Sequence, residues 1–178
     1  MDPADPLLPK ILVLVILILI NAFFAAAEIA VISLSETKLR KQAEEGDKKA
    51  KKLLVLMQAP DSFLSAIQIA ITLAGFLSSA FAADSFSDPL VHWLTVDKGF
   101  TAIPTSTLNT IMVVLITIVL SYFSLVLGEL VPKRIAMKKT EAVARFTVGA
   151  VTSVAEVFRP VIWQLSKSTN GVLRLLHI

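Results

Sequence analysis

The chemistry of this chain concentrates in seven consecutive residues, Gly128-Glu129-Leu130-Val131-Pro132-Lys133-Arg134. A carboxylate and a proline close a long apolar run, and a basic cluster follows at once. An ionisable side chain at the end of a membrane span is costly to hold there and by default marks a functional position. Proline cannot donate a backbone hydrogen bond to the carbonyl four residues earlier, and here that carbonyl belongs to Gly128, beside Glu129. One local feature thus offers a carboxylate and a backbone oxygen released from the helical ladder, both suited to a hard cation. The competing reading is an i,i+4 ion pair between Glu129 and Lys133, with Pro132 simply ending the helix.

Other polar groups recur at helical spacing. Ser65, Gln68, Thr72, Gly75 and Ser79 share one helix face, as do Thr117, Ser121, Ser124 and Gly128. Asn21, Glu28 and Ser35 stand seven apart, with Ala25 on the same face. Small and hydroxyl side chains alone would serve close packing of membrane helices; the acids point beyond packing. An oxygen-rich donor set favours Mg²⁺, Ca²⁺ or Na⁺ over zinc or copper. The expected metal ligands are therefore Glu129 and the Gly128 carbonyl, with Glu28, Thr72 and Gln68 beside them, and Pro132 is the break that exposes the carbonyl. Glu28 has a second reading, as an acid neutralised or hydrogen-bonded within helix packing. His92 and His177 stand alone. No nucleophile–base pair, phosphate-binding glycine loop or HExxH motif occurs, so the reading is not that of an enzyme.

These groups must be carried by membrane helices. The 178 residues are 55% hydrophobic with mean hydropathy +0.75. Three runs, about 7–35, 61–83 and 107–131, each hold roughly 20 or more residues, enough to cross an apolar layer of ~30 Å. The fold class is an all-α membrane protein with three spans and additional amphipathic helices. The first run is too long, and its front too acidic (Asp2, Asp5), for a cleaved signal peptide. Absence of cysteine removes disulfides and thiolate chemistry. The net charge of +3 does not imply nucleic acid, because the basic residues sit beside spans, where they set orientation and meet membrane lipid.

Lys38, Arg40, Lys41, Lys48, Lys49, Lys51 and Lys52 follow the first run, and Lys133, Arg134, Lys138 and Lys139 follow the third. Only Lys98 lies between the second and third, among Asp84, Asp88 and Asp97. The positive-inside rule then puts the N-terminus outside and the C-terminus in the cytoplasm. Glu28 falls about 10 Å above the inner end of its helix. Gln68, Thr72 and Glu129 fall in the same inner half, so the polar stripes could face one cavity open to the cytoplasm. Residues 36–57 read as a charged helix broken at Gly46-Asp47. Residues 140–158 read as an amphipathic helix on the inner membrane surface, with a fourth span as the alternative. Arg159-Pro160 ends it. The expected domains are a core at 1–139 and a juxtamembrane belt at 140–178. The last helix has no capping signal, so a cytoplasmic domain is expected to follow.

The chain resembles the transmembrane domain of the CNNM/CorC family of magnesium transporters. The resemblance rests on Phe23-Phe24-Ala25-Ala26-Ala27-Glu28-Ile29-Ala30 with Ser33-Leu34-Ser35, on Ile67-Gln68-Ile69-Ala70-Ile71-Thr72-Leu73, and most specifically on Gly128-Glu129-Leu130-Val131-Pro132-Lys133-Arg134-Ile135-Ala136. It implies a homodimer in a bacterial plasma membrane and an inward-facing Mg²⁺ site using Glu129. It also implies Na⁺ as a candidate coupling ion and a following CBS-pair domain through which ATP would act. The chain departs from that pattern at Ala25-Ala26-Ala27, where many relatives have Ser-Gly-Ser, and at Ile71 and Gly75, where they have asparagines. Relatives with the Ile-Thr pattern are associated with polyamine export, which makes a putrescine or cadaverine exporter the alternative. A non-transporting membrane anchor for a nucleotide-sensing domain is the reading from a different class.

Overall fold

The computed structural model describes residues 7–100 and 102–176, so Asp2, Asp5 and His177 lie outside the described residues. Among the described residues every regular element is helical. Helix α1 (Leu7–Ile32) is followed by the short charged helices α2 (Glu36–Glu44) and α3 (Lys48–Gln58). Then come α4 (Pro60–His92), α5 (Thr105–Leu125), α6 (Val131–Lys138), α7 (Thr140–Val157) and α8 (Arg159–Leu175). Two π-helical turns interrupt the series, Trp93–Asp97 after α4 and Val126–Leu130 between α5 and α6.

Three stretches are long and apolar enough to cross a membrane: Leu7–Ile32, Pro60–Asp97 and Thr105–Lys138. The second and third are longer than the expected 61–83 and 107–131. Asp84, Asp88 and Pro89 read locally as an exit from the membrane, yet α4 continues past all of them to His92. Pro60 occupies the first helical position, where its missing N–H costs nothing. Thr105 starts α5 directly after Pro104. Pro132 does not end the third stretch. The Val131 N–H reaches back five residues to the Val126 carbonyl. The chain passes the proline through this wider turn and stays helical to Lys138.

Contacts divide the chain into two compact units, Met1–Ala22 with Thr72–Val131, and Phe23–Ile71 with Pro132–Ile178. The cut falls inside α1 and α4. The first unit packs through small side chains. Ala74, Ser78, Ala82 and Ser85 form one buried stripe of α4, which lets neighbouring helices approach closely. Of α5 itself only Leu108 is buried, which leaves its apolar surface for lipid.

The second unit has a denser core. Phe24 and Val31 of α1, Leu39 of α2, Leu53 of α3, Phe63 and Ile67 of α4, and Val148 and Val151 of α7 form one buried cluster. Helices α2 and α3 make a hairpin around Gly46, whose φ of 98° is accessible to glycine at little cost. Asp47 then caps α3 by accepting from the backbone N–H groups of Lys49 (2.8 Å) and Ala50 (3.2 Å). The same carboxylate is paired with Arg145 of α7, while Lys38 and Gln42 of α2 both donate to Glu141. The interactions with Ala50 and Lys49, together with the Arg145 charge, hold the Asp47 carboxyl below its ordinary pKa, with the Ala50 bond the largest influence. The Lys38 hydrogen bond does the same for Glu141. Helix α7 is amphipathic, burying Ala144, Thr147, Val148 and Val151. Phe146 nevertheless stays 76% exposed, resting its edge on Phe23. Helices α7 and α8 meet at a bend of 71°, and Pro160 begins the second of them.

Candidate cation site

The π-helical turn Val126–Leu130 carries both residues singled out first, Gly128 and Glu129. Single π turns within α-helices are rare and concentrate at functional positions. Here Pro132 removes the donor that would otherwise serve the Gly128 carbonyl. A side chain from another helix takes its place: the Asn21 Nδ2 of α1 donates to the Gly128 carbonyl oxygen at 3.3 Å, across 107 residues of sequence. The approach requires glycine. A Cβ at position 128 would stand 2.9 Å from Asn21 Nδ2 and 3.5 Å from the Ile18 carbonyl.

Asn21 is only 5% exposed, and its Oδ1 is buried with no hydrogen-bond partner. The hydroxyl of Ser78, 2% exposed, is likewise without one. Both residues line a cavity of about 350 Å³ together with Gly75, Ser79, Ser121, Ser124 and Glu129. Buried polar atoms are normally satisfied. Two oxygens without partners thus stand on the wall of a cavity that also holds a carboxylate, and a hydrogen-bond donor or a cation would satisfy them. A bare cation, a cation with its water shell, or an ammonium group would serve.

The expected ligands fall in different places. Glu129 lines this cavity and Gly128 lies beside it in sequence, its carbonyl held by Asn21. Thr72 belongs to the same unit but is exposed and outside the lining. Glu28 and Gln68 belong to the other unit. There Glu28 pairs with Lys133 at 3.1 Å, with both side chains about three-quarters buried (22% and 26% exposed), and Gln68 is exposed. Pro132 is half-buried in the first turn of α6. Among the described residues, no three His, Cys, Asp or Glu side chains gather into a metal-binding group. A cation at Glu129 would thus rely on one carboxylate and neutral oxygens.

The two lining residues with unpartnered buried oxygens, Asn21 and Ser78, lay outside the expected ligands. Asn21 is the one amide of α1, already on the polar stripe with Glu28, and an amide within a membrane span is the signal that could have marked it as a ligand. Ser78 precedes the expected Ser79, and composition cannot say which of two adjacent serines turns inward.

A multi-pass helical membrane domain, with an oxygen-lined cavity beside a π turn, is the class that fold and site define. The chain belongs to the CNNM family: the model described as the cyclin M transmembrane N-terminal domain matches residues 12–178. It is 38% identical to the UPF0053 protein sll0260 of Synechocystis sp. over 163 residues, 92% of this chain and 36% of that protein. Two further relatives carry the name polyamine export protein. The one from Haemophilus influenzae is 31% identical, covering 94% of this chain and 38% of the relative. The one from Salmonella typhimurium is 28% identical, covering 97% and 37%. The chain thus spans little more than a third of the length of these relatives.

Proposed function

We propose that this chain is the membrane domain of a cation transporter and that Glu129 supplies the charge of its ion site. The observation that carries this reading is the cavity in which Glu129 meets the orphaned oxygens of Asn21 and Ser78. We take Mg²⁺ as the first cargo. Mg²⁺ dehydrates reluctantly and is commonly bound through one or two carboxylates while keeping several waters. A single acid, an amide and serine hydroxyls around about 350 Å³ suit a partly hydrated ion of that kind.

A second reading has its own support. Two relatives are named for polyamine export, and a diammonium ion needs carbonyl and carboxylate acceptors without octahedral geometry. The basic residues of α2, α3 and α6 support a cytoplasmic C-terminus and an outer N-terminus in a bacterial plasma membrane. A homodimer, a following CBS-pair domain responsive to ATP, and Na⁺ coupling belong to the same proposal. The test is flux in proteoliposomes with the full-length protein. Mg²⁺ movement abolished by Glu129→Ala supports the first cargo. Putrescine or cadaverine movement without Mg²⁺ would replace it, and no cation flux at all would leave the anchor reading.

A further inference from the structure

A second cavity of the first unit, of about 700 Å³, is lined by apolar side chains alone. It runs from Ile11 to Ile18 on α1, from Leu90 back to Ala82 on α4, and from Met112 to Phe123 on α5. At 1.5 Å per residue these stretches are roughly 10–17 Å long, room for an extended octyl chain. An apolar groove on membrane helices is ordinarily covered by lipid tails, which are as apolar as leucine. This one differs in where it leads.

On α1 the Glu129 cavity begins at Asn21, three residues after Ile18. On α4 it begins at Ser79, three residues before Ala82, and on α5 the two cavities share Leu120. All three helices therefore set the polar cavity against the same end of the apolar one. Small-molecule sites combine mostly apolar walls with a few polar groups that fix orientation, and the two cavities together have that composition. The polar end selects the head group. Asn21 Oδ1 and the Ser78 hydroxyl are buried there without partners, and Glu129 adds a carboxylate. A primary ammonium brings three N–H donors and no acceptor. A phosphate head group would instead meet the Glu129 carboxylate as a like charge, which is costly.

We infer that the joined cavities accept a single-chain alkylammonium ion. Its head lies at Asn21, Ser78 and Glu129, and its chain runs along the groove toward Ile11 and Leu90. The inference rests on the reading of Glu129 as the charge of the cation site, and it adds amphiphilic primary amines to the cations that site takes. Leu115 and Val119 on the groove wall are exposed, so the groove opens sideways onto the surface that α5 leaves to lipid. An amphiphile can enter from the bilayer.

The test is thermal stabilisation of the chain in a nonionic detergent by octylammonium, ethylammonium, octan-1-ol and Mg²⁺, each titrated separately. Octylammonium should act at a concentration at least tenfold lower than ethylammonium, and octan-1-ol should give no comparable shift. Glu129→Gln should remove the octylammonium shift. Val119→Asn and Leu115→Asn, each at an exposed position of the groove wall, should erode the advantage of octylammonium over ethylammonium. Equal potency of the two amines would overturn the inference. So would an equal shift with octan-1-ol, an octylammonium shift that survives Glu129→Gln, or an advantage untouched by both groove variants. Stabilisation by Mg²⁺ and ethylammonium through Glu129, with nothing gained from the octyl chain, would sink this inference and leave the cation site standing. No shift with any cation would sink both.

Discussion

The side-chain amide of Asn21 is hydrogen-bonded to the main-chain carbonyl of Gly128, joining the first membrane helix to the π turn that carries Glu129. The bond occupies the backbone oxygen whose helical donor Pro132 removes. It also leaves the other end of the amide, Oδ1, buried and unpartnered on the cavity wall. One short side chain therefore both secures the turn and offers a ligand.

Gly128→Ala should break this bond. Its Cβ would fall 2.9 Å from Asn21 Nδ2, too close for the amide to keep its place. Interhelical hydrogen bonds in membranes contribute about 1 kcal/mol, so thermal unfolding in detergent should show a loss of about that size or more. An unchanged melting temperature would mean that the bond adds nothing.

Gly75 offers the opposite experiment. It lines the cavity, and a Cβ there meets nothing within 4 Å. Gly75→Asn should fold normally and place an additional amide oxygen within reach of an ion beside Glu129. Tighter Mg²⁺ binding by titration is the expected outcome. Unchanged affinity would argue that ions do not sit against this wall.

The Glu28–Lys133 pair should behave as a partly buried ion pair. With each side chain about a quarter exposed, its coupling should fall between the surface value near zero and the several kcal/mol of a fully buried pair, at about 1–3 kcal/mol. Lys133→Met should destabilise more than the Lys133→Met, Glu28→Gln double variant, because the single change strands a carboxylate. A double-mutant cycle on thermal stability measures this, and additive effects would contradict it.

The Asp47 clasp sets an acid limit. Its carboxyl is held below the ordinary 3.8, chiefly by the Ala50 N–H. Stabilisation from a depressed carboxyl pKa is complete above the unfolded value and is lost as pH falls through the folded value. Stability should therefore fall on acidification below about pH 4. Asp47→Asn should be less stable at neutral pH and less sensitive to acid. A parallel pH profile for both proteins would remove Asp47 from the account.

Much of this was legible in sequence wherever the signal was local. The α2–α3 break needed only Gly46-Asp47, and the three membrane stretches only their length. What escaped depends on contacts distant in sequence or on hydrogen-bond register. Nothing near Asn21 announces Gly128, 107 residues away. Pro132 was read as the break that exposes the Gly128 carbonyl, with a simple helix stop as the competing reading; the π turn before it keeps the helix going. Glu28 pairs with Lys133, a contact between α1 and α6 that only tertiary packing could assign. The expected span stops near Ala83 where the apolar run does, while α4 itself continues through Asp84, Asp88 and Pro89, because a helix end beyond the apolar run tolerates them.

The central claim is that Glu129 and its cavity hold a cation. The most direct measurement is thermal stabilisation of the solubilised chain titrated side by side with Mg²⁺, Ca²⁺, Na⁺ and putrescine. A ligand that binds the folded state alone stabilises by about 2.7 kcal/mol at a hundred times its Kd. The account predicts such a shift with at least one of these cations, Mg²⁺ first, and its loss in Glu129→Gln with the fold intact. No shift with any of them, or an equal shift in Glu129→Gln, would contradict it.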